Sequence, residues 1–193
     1  MELVTTPAQM LTLRDGTPVQ VRGMTPEDGP ALGELFATAT AVDVRFLRDD
    51  IADPAVVQGW CEALDYSRVL PLLALAGDRA VGQASLHFGC GPERHCGKVR
   101  VFVAPDFRRR GLGTRLVDAL VDVAHQRGLE FVIAEVVSEQ AWLIRAGLRR
   151  GFKLCFSLAD SFMLRDGSTR DVTILRKQLR PPGAEPGTAT REG

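Results

Sequence analysis

Apolar and polar positions repeat with two different periods along this chain, and the switches between them mark its elements. Val19 and Val21 alternate with polar neighbours, so residues 11–22 predict two short strands around an Asp15-Gly16 turn. Thr25-Pro26-Glu27-Asp28 starts a helix: a threonine N-cap, a proline in the first turn and acids at the positive end. That helix is expected to reach about residue 39 and to bury Leu32, Leu35 and Phe36. Residues 40–50 read as a loop or short helix, and a further helix over 54–64 carries Val56, Val57, Trp60 and Cys61. Two strands follow, 67–76 and 79–88, joined by Gly77-Asp78; Pro71 argues for an edge or a bulge.

Residues 89–97 hold three glycines and a proline and predict a loop. A strand over 99–103, rich in β-branched and aromatic residues, leads through a turn to a helix at 114–127. Leu116, Leu120, Val123 and Ala124 recur there at helical spacing. Residues 129–137 are nearly all apolar, as in a strand covered on both faces. A helix from Ser138-Glu139 to about residue 150 and a strand at 151–156 come next, and strands at 161–165 and 170–176 flank Asp166-Gly167. The order is β, α, α, β, β, β, α, β, α, β, β. It predicts an α/β (mixed α+β) domain over residues 11–179, with a central mixed sheet and helices on both faces. Residues 1–10 are expected to be flexible, and 180–193, PPGAEPGTATREG from Pro181, to be a disordered tail.

Composition narrows the classes. The 193 residues are 45% hydrophobic and 25% charged, with net charge +0 at pH 7, so no general grip on nucleic acid is indicated. No apolar run approaches the ~20 residues that span a bilayer. The first residues lack the layout of a secretion signal, and four cysteines then read as reduced thiols in a cytoplasmic protein.

The basic character is local. Between the 99–103 strand and its helix stand Arg108, Arg109, Arg110, Gly111, Leu112, Gly113 and Thr114. Strand, basic glycine turn and helix form an anion cradle. Glycines admit close backbone approach, the first-turn amides have no helical partner, and the helix dipole adds positive charge. No lysine follows Gly113, as a nucleotide-binding G-x-x-x-x-G-K-[ST] loop requires, and a G-x-G-x-x-G dinucleotide run is absent. Three arginines without interleaved aromatics make no base-stacking surface either.

Arg108-x-x-Gly111-x-Gly113 after Val103-x-Pro105 resembles the [RQ]-x-x-G-x-[GA] signature of the GCN5-related N-acetyltransferases (GNAT). The element order agrees, which extends the resemblance over about residues 12–178. Leu13-Arg14-Asp15-Gly16, Thr25-Pro26-Glu27-Asp28, Arg45-Phe46 and Gly151-Phe152 resemble strings of the acetyltransferase domain in bacterial Pat-type protein lysine acetyltransferases. The resemblance implies acetyl-CoA as acyl donor and an amine as acceptor, a small molecule or a protein lysine; a homodimer is left open. It implies that backbone groups of Phe102 and Val103 pair with the pantetheine arm. Amides of residues 109–114 would hold the pyrophosphate, with Arg108, Arg109 and Arg110 adding charge.

Acetyl transfer needs a deprotonated amine, a polarised thioester carbonyl, aligned reactants and a stabilised thiolate. Here the chain departs from the family. Lys98 stands where many relatives have a glutamate base. Gln140 stands for an asparagine at the cofactor, and Gly147 for the tyrosine acid. Glu135, the one charge within residues 131–137, is the best replacement base; a solvated or ion-paired carboxylate is the alternative. These departures keep a second reading open, a catalytically weak acyl-CoA-binding or regulatory module.

Asp43, Asp49 and Asp50 could attract a cationic acceptor or be a solvated face. His87, Cys90, His95 and Cys96 lie within ten residues, but their spacing matches no usual zinc pattern, and no metal is expected. His125 is expected at the surface.

Overall fold

β-branched and aliphatic runs separated by glycine turns assemble into one eight-stranded sheet, in the order β1-β2-β3-β4-β5-β6-β8-β7. The computed structural model describes residues 8–47, 51 and 53–179. Asp49, Asp50 and the tail expected at 180–193 lie outside the described residues.

β1 (Gln9–Thr12) and β2 (Pro18–Gly23) form the first hairpin, so strand structure begins within the stretch expected to be flexible. Thr25 and Asp28 make a capping box over a 3-10 turn, and α1 (Gly29–Ala37) follows. α2 (Ala41–Arg45) is one short helix capped by Thr40, and α3 (Pro54–Glu62) starts from an Asp53 cap. β3 (Val69–Ala76) and β4 (Arg79–Phe88) form the central hairpin.

Pro71 belongs to an interior strand. Its carbonyl accepts the Met24 amide at 3.0 Å, so its ring nitrogen faces the same side, just beyond the last β2 pair, Gly23 with Leu72. That local vacancy removes the need for a donor. The register shift of β3 falls later, at Ala74/Leu75.

β5 (Cys96–Val103) begins three residues earlier than the apolar pattern implies, because Gly97 and Lys98 pair with β4 and the Cys96 carbonyl accepts from Gly89. α4 (Leu112–Gln126) buries the expected Leu116, Leu120, Val123 and Ala124. β6 (Phe131–Val137) and α5 (Ala141–Arg149) come next. β7 (Lys153–Met163) is one long strand rather than two, and it pairs with β8 (Thr169–Gln178) in the closing hairpin. Its register shifts twice, and Asp160 takes φ 52°, which absorbs the polar stretch read as a break.

Helices cover both faces. On one, Phe36 of α1 packs against Phe102 of β5 at 5.1 Å and against Trp60 of α3 at 5.7 Å. On the other, Leu112 and Leu116 of α4 press onto the bare Cα of Gly82 in β4. Arg150 at the end of α5 pairs with Asp118 of α4, so α5 shares that second face. Among the described residues no helix is long and apolar enough to cross a membrane.

Candidate functional site: a wedge between two parallel strands

β5 and β6 are parallel, and they pair only over Cys96–Lys98 with Phe131–Ile133. Beyond Lys98, β5 continues with β4 alone, and beyond Ile133, β6 continues with β8 alone. A wedge opens between them. Ala104 donates to Val81 and Cys96 accepts from Gly89, so even-numbered residues of β5 turn their backbone toward β4. Val99, Val101 and Val103 therefore turn theirs into the wedge. Phe102 does not: its backbone pairs with Gln83 and its ring is buried against α1. Val101, rather than Phe102, shares the open edge with Val103.

The turn above the wedge is built for backbone approach. Gly111 takes φ 94° at the N-cap of α4, a left-handed conformation that costs a side chain about 1 kcal/mol or more. By helix geometry the amides of Leu112, Gly113 and Thr114 have no carbonyl one turn earlier to receive them. Gly113 faces the end of β5: a Cβ there would sit 3.5 Å from Val103 Cγ2, at ordinary contact distance.

The arginines are disposed differently from one another. Arg108 folds back: its Nε donates to the Val103 carbonyl at 3.0 Å and its Nη2 lies 2.8 Å from Asp43 Oδ2. Arg110 reaches Asp15 at 3.1 Å and lies over the Phe107 ring. Arg109 is exposed, with φ 61°. The motif thus uses two of its arginines to brace the turn. Burial works to raise the Asp43 pKa, but hydrogen bonds from Arg108 and Thr40 hold it below the usual carboxylate value. Asp15 is also lowered, first by the Thr17 amide and further by Arg110.

Arg14 was not legible as part of this site. The tip of the β1–β2 hairpin docks on the turn, where the Arg14 amide donates to the Arg110 carbonyl at 3.2 Å. Its side chain lies over Gly111, with Nε 3.5 Å from the position of a Cβ. This contact spans the chain, and no local pattern announces it.

At the narrow end of the wedge Lys98 Nζ lies 3.1 Å from Glu135 Oε1. Lys98, which the resemblance puts at a base position, thus forms an ion pair with Glu135, the expected replacement. Lys98 is half exposed, whereas the Glu135 side chain is 24% exposed. Gln140 is the N-cap of α5, and its carbonyl accepts from Leu143. Gly147, where the resemblance implies a tyrosine, packs on β8 so closely that a Cβ would meet Leu175 Cδ1 at 2.8 Å.

The histidines and cysteines do not converge. His87 shares a contact of 3.0 Å with Ser85 Oγ, His95 meets Phe131 edge to face, and Cys90 is exposed. Among the described residues no group of three or more acids, histidines and cysteines could hold a metal. His125 is exposed.

Residues 36–152 match the model of the acetyltransferase (GNAT) family. The chain belongs to the GNAT family. The structure of a ribosomal-protein-alanine N-acetyltransferase from Brucella melitensis is 25% identical, with 82% of this chain and 99% of that chain covered and a TM-score of 0.72. The GNAT domain of S. lividans PAT is 21% identical over 89% and 97%, at 0.74. The yncA protein of Salmonella typhimurium, solved with its cofactor acetyl-CoA, is 24% identical over 86% and 96%, at 0.72.

Proposed function

We propose that this GNAT protein transfers an acetyl group from acetyl-CoA to an amine by direct attack while both substrates are bound. One observation carries the reading: unpaired edge groups of β5 line a wedge that ends under the free amides of α4. An extended amide-bearing arm fits such an edge as an added strand, and a diphosphate fits the helix start. Val101 and Val103 would receive the pantetheine. The Val103 carbonyl is engaged by Arg108, which leaves the Val103 amide and both Val101 groups for that arm. The amides of residues 109–114, with Arg109 and Arg14, would hold the pyrophosphate. A wedge-facing amide would polarise the thioester carbonyl.

Glu135 would take the proton from the amine, since it borders the wedge where the thioester end comes to rest. Bound acetyl-CoA supplies the activated acyl group, and this chain aligns it and moves the proton. The likeness to the Brucella ribosomal-protein-alanine N-acetyltransferase supports a protein amine as acceptor. Four free cysteines, Cys61, Cys90, Cys96 and Cys155, suit a reducing cytoplasm.

The Lys98–Glu135 pair and the closed Gly147 position favour a second reading, a module that binds acyl-CoA without turnover. Thiol release from acetyl-CoA with a panel of amines separates the two. The enzyme reading expects turnover that Glu135→Gln lowers by about a hundredfold. Calorimetric binding of acetyl-CoA without turnover for any amine would establish the module.

A further inference from the structure

The face of the sheet that carries Glu135 has an uneven charge. Register places His87, Lys98, Ile133, Arg176 and Lys153 side by side across β4, β5, β6, β8 and β7. One row further along that face stand Ser85 and Arg100, then the wedge, then Glu135 and Ile174. Arg100, Arg176 and Lys153 are exposed, and Lys98 is half exposed. Four fixed cations thus share the floor around the narrow end of the wedge with Glu135. α1 shields this face farther along β5, where Phe36 covers Phe102, and Phe46 at the end of α2 packs with Val137, Val172 and Ile174 beside Glu135. Lys98 and Arg100 stay exposed to an approaching acceptor.

A lone ammonium approaching this floor meets Lys98 and Arg100 and finds its carboxylate already held at 3.1 Å. Like charges at such range repel, and Glu135 cannot serve Lys98 and an incoming ammonium equally well. An acceptor with its own carboxylate resolves both conflicts. Its carboxylate takes the Lys98 ammonium, with Arg100 alongside, and Glu135 is released to the amine.

We infer that the acceptor is an amine carrying a carboxylate a few bonds from its nitrogen, and that Lys98 exchanges partners on binding it. This rests on the reading of the wedge as the acetyl-CoA site. The arriving ammonium gives one proton to Glu135. Its nitrogen then forms a bond to the acetyl carbon, and the C–S bond breaks with its electron pair on sulfur. The second nitrogen proton ends on the thiolate, and Glu135 returns its proton to water. The products are the acetamide and free CoA. Lys98 is a positioning residue in this scheme, since it acts through Glu135.

The test compares matched acceptors at saturating acetyl-CoA. One pair is free glutamate against its α-carboxamide; the other is a short peptide with aspartate as second residue against the same peptide with asparagine. One additional charge-assisted hydrogen bond predicts a preference of about tenfold in kcat/KM for the carboxylate of at least one pair. The pair that responds identifies a free amino acid or an acidic peptide terminus as the source. Lys98→Met should erase the preference and Lys98→Arg should retain it, with acetyl-CoA affinity unchanged in both; Arg100→Gln should reduce it. Equal rates within both pairs, a preference for the amide, or turnover confined to acceptors without carboxylates would overturn the inference while leaving the acetyl-CoA reading intact. Failure of acetyl-CoA to bind by calorimetry would remove that reading and this inference together.

Discussion

Arg108 links the Asp43 carboxylate, 2.8 Å from its Nη2, to the Val103 carbonyl, 3.0 Å from its Nε. One side chain thereby ties α2 to the last residue of the wedge-lining strand. The guanidinium fork suits two acceptors at fixed directions, which an ammonium on a flexible stem does not. Arg108→Lys should therefore keep the charge yet lose one of the two contacts, at a cost of about 1 kcal/mol. Urea unfolding checks this; an unchanged midpoint would mean that the tie adds nothing to stability.

Acid should weaken the fold through Asp28. Both nitrogens of the Arg22 fork reach its carboxylate at 2.6 Å, and the Thr25 amide adds a bond at 2.7 Å. Hydrogen bonds from Arg22 hold the Asp28 pKa below its ordinary 3.8, against the opposing effect of burial. A folded-state pKa below the unfolded one gives stability that is fully present above 3.8 and lost as pH falls through the lowered value. The melting temperature of Asp28→Asn should lie below that of the wild type at pH 7, and the gap should close in acid. A gap that stays constant from pH 7 to pH 2 would contradict the assignment.

The glycine turn predicts a graded series. Gly113→Ala adds a methyl at ordinary contact distance from Val103 and should leave the melting temperature nearly unchanged. Gly113→Asp and Gly111→Asp bring a carboxylate to a site suited to anions and should weaken acetyl-CoA binding at least tenfold. Gly111→Ala, at φ 94°, should cost about 1 kcal/mol of stability. Calorimetric affinities equal to wild type in both aspartate variants would refute the cradle.

A tyrosine at position 147 should not be accommodated. A Cβ at position 147 would stand 2.8 Å from Leu175 Cδ1, in the packing between α5 and β8. Gly147→Tyr should destabilise by at least the ~1–3 kcal/mol typical of overpacking, and it should not raise turnover. A stable variant with faster thiol release would show that the helix can shift.

The pattern of apolar positions located most elements because period 2 and period 3.6 are local properties of the chain. Leu116, Leu120, Val123 and Ala124 face the sheet for the reason that their spacing states. The glycine turn was legible for the same reason: Gly111 and Gly113 are bound to backbone demands within a few residues. The partners of the arginines were not. Arg108 finds Asp43 and Arg110 finds Asp15 only after distant segments meet, so charge that reads as ligand-directed is partly used for bracing. Which of Val101, Phe102 and Val103 faces the wedge depends on pairing with β4, a register no single strand reveals. The alternation predicts two strands where β7 is one, because its bulges interrupt the period.

The short seam of β5 and β6 has a mechanical consequence. Three paired residues join a five-stranded leaf to a three-stranded leaf, and above the seam no strand among the described residues bridges them. A ligand lying in that gap becomes a ninth rib of the sheet, so cofactor occupancy and rigidity should rise together. At a hundredfold excess over Kd such linkage adds about 2.7 kcal/mol to folding, which makes melting temperature itself a gauge of occupancy.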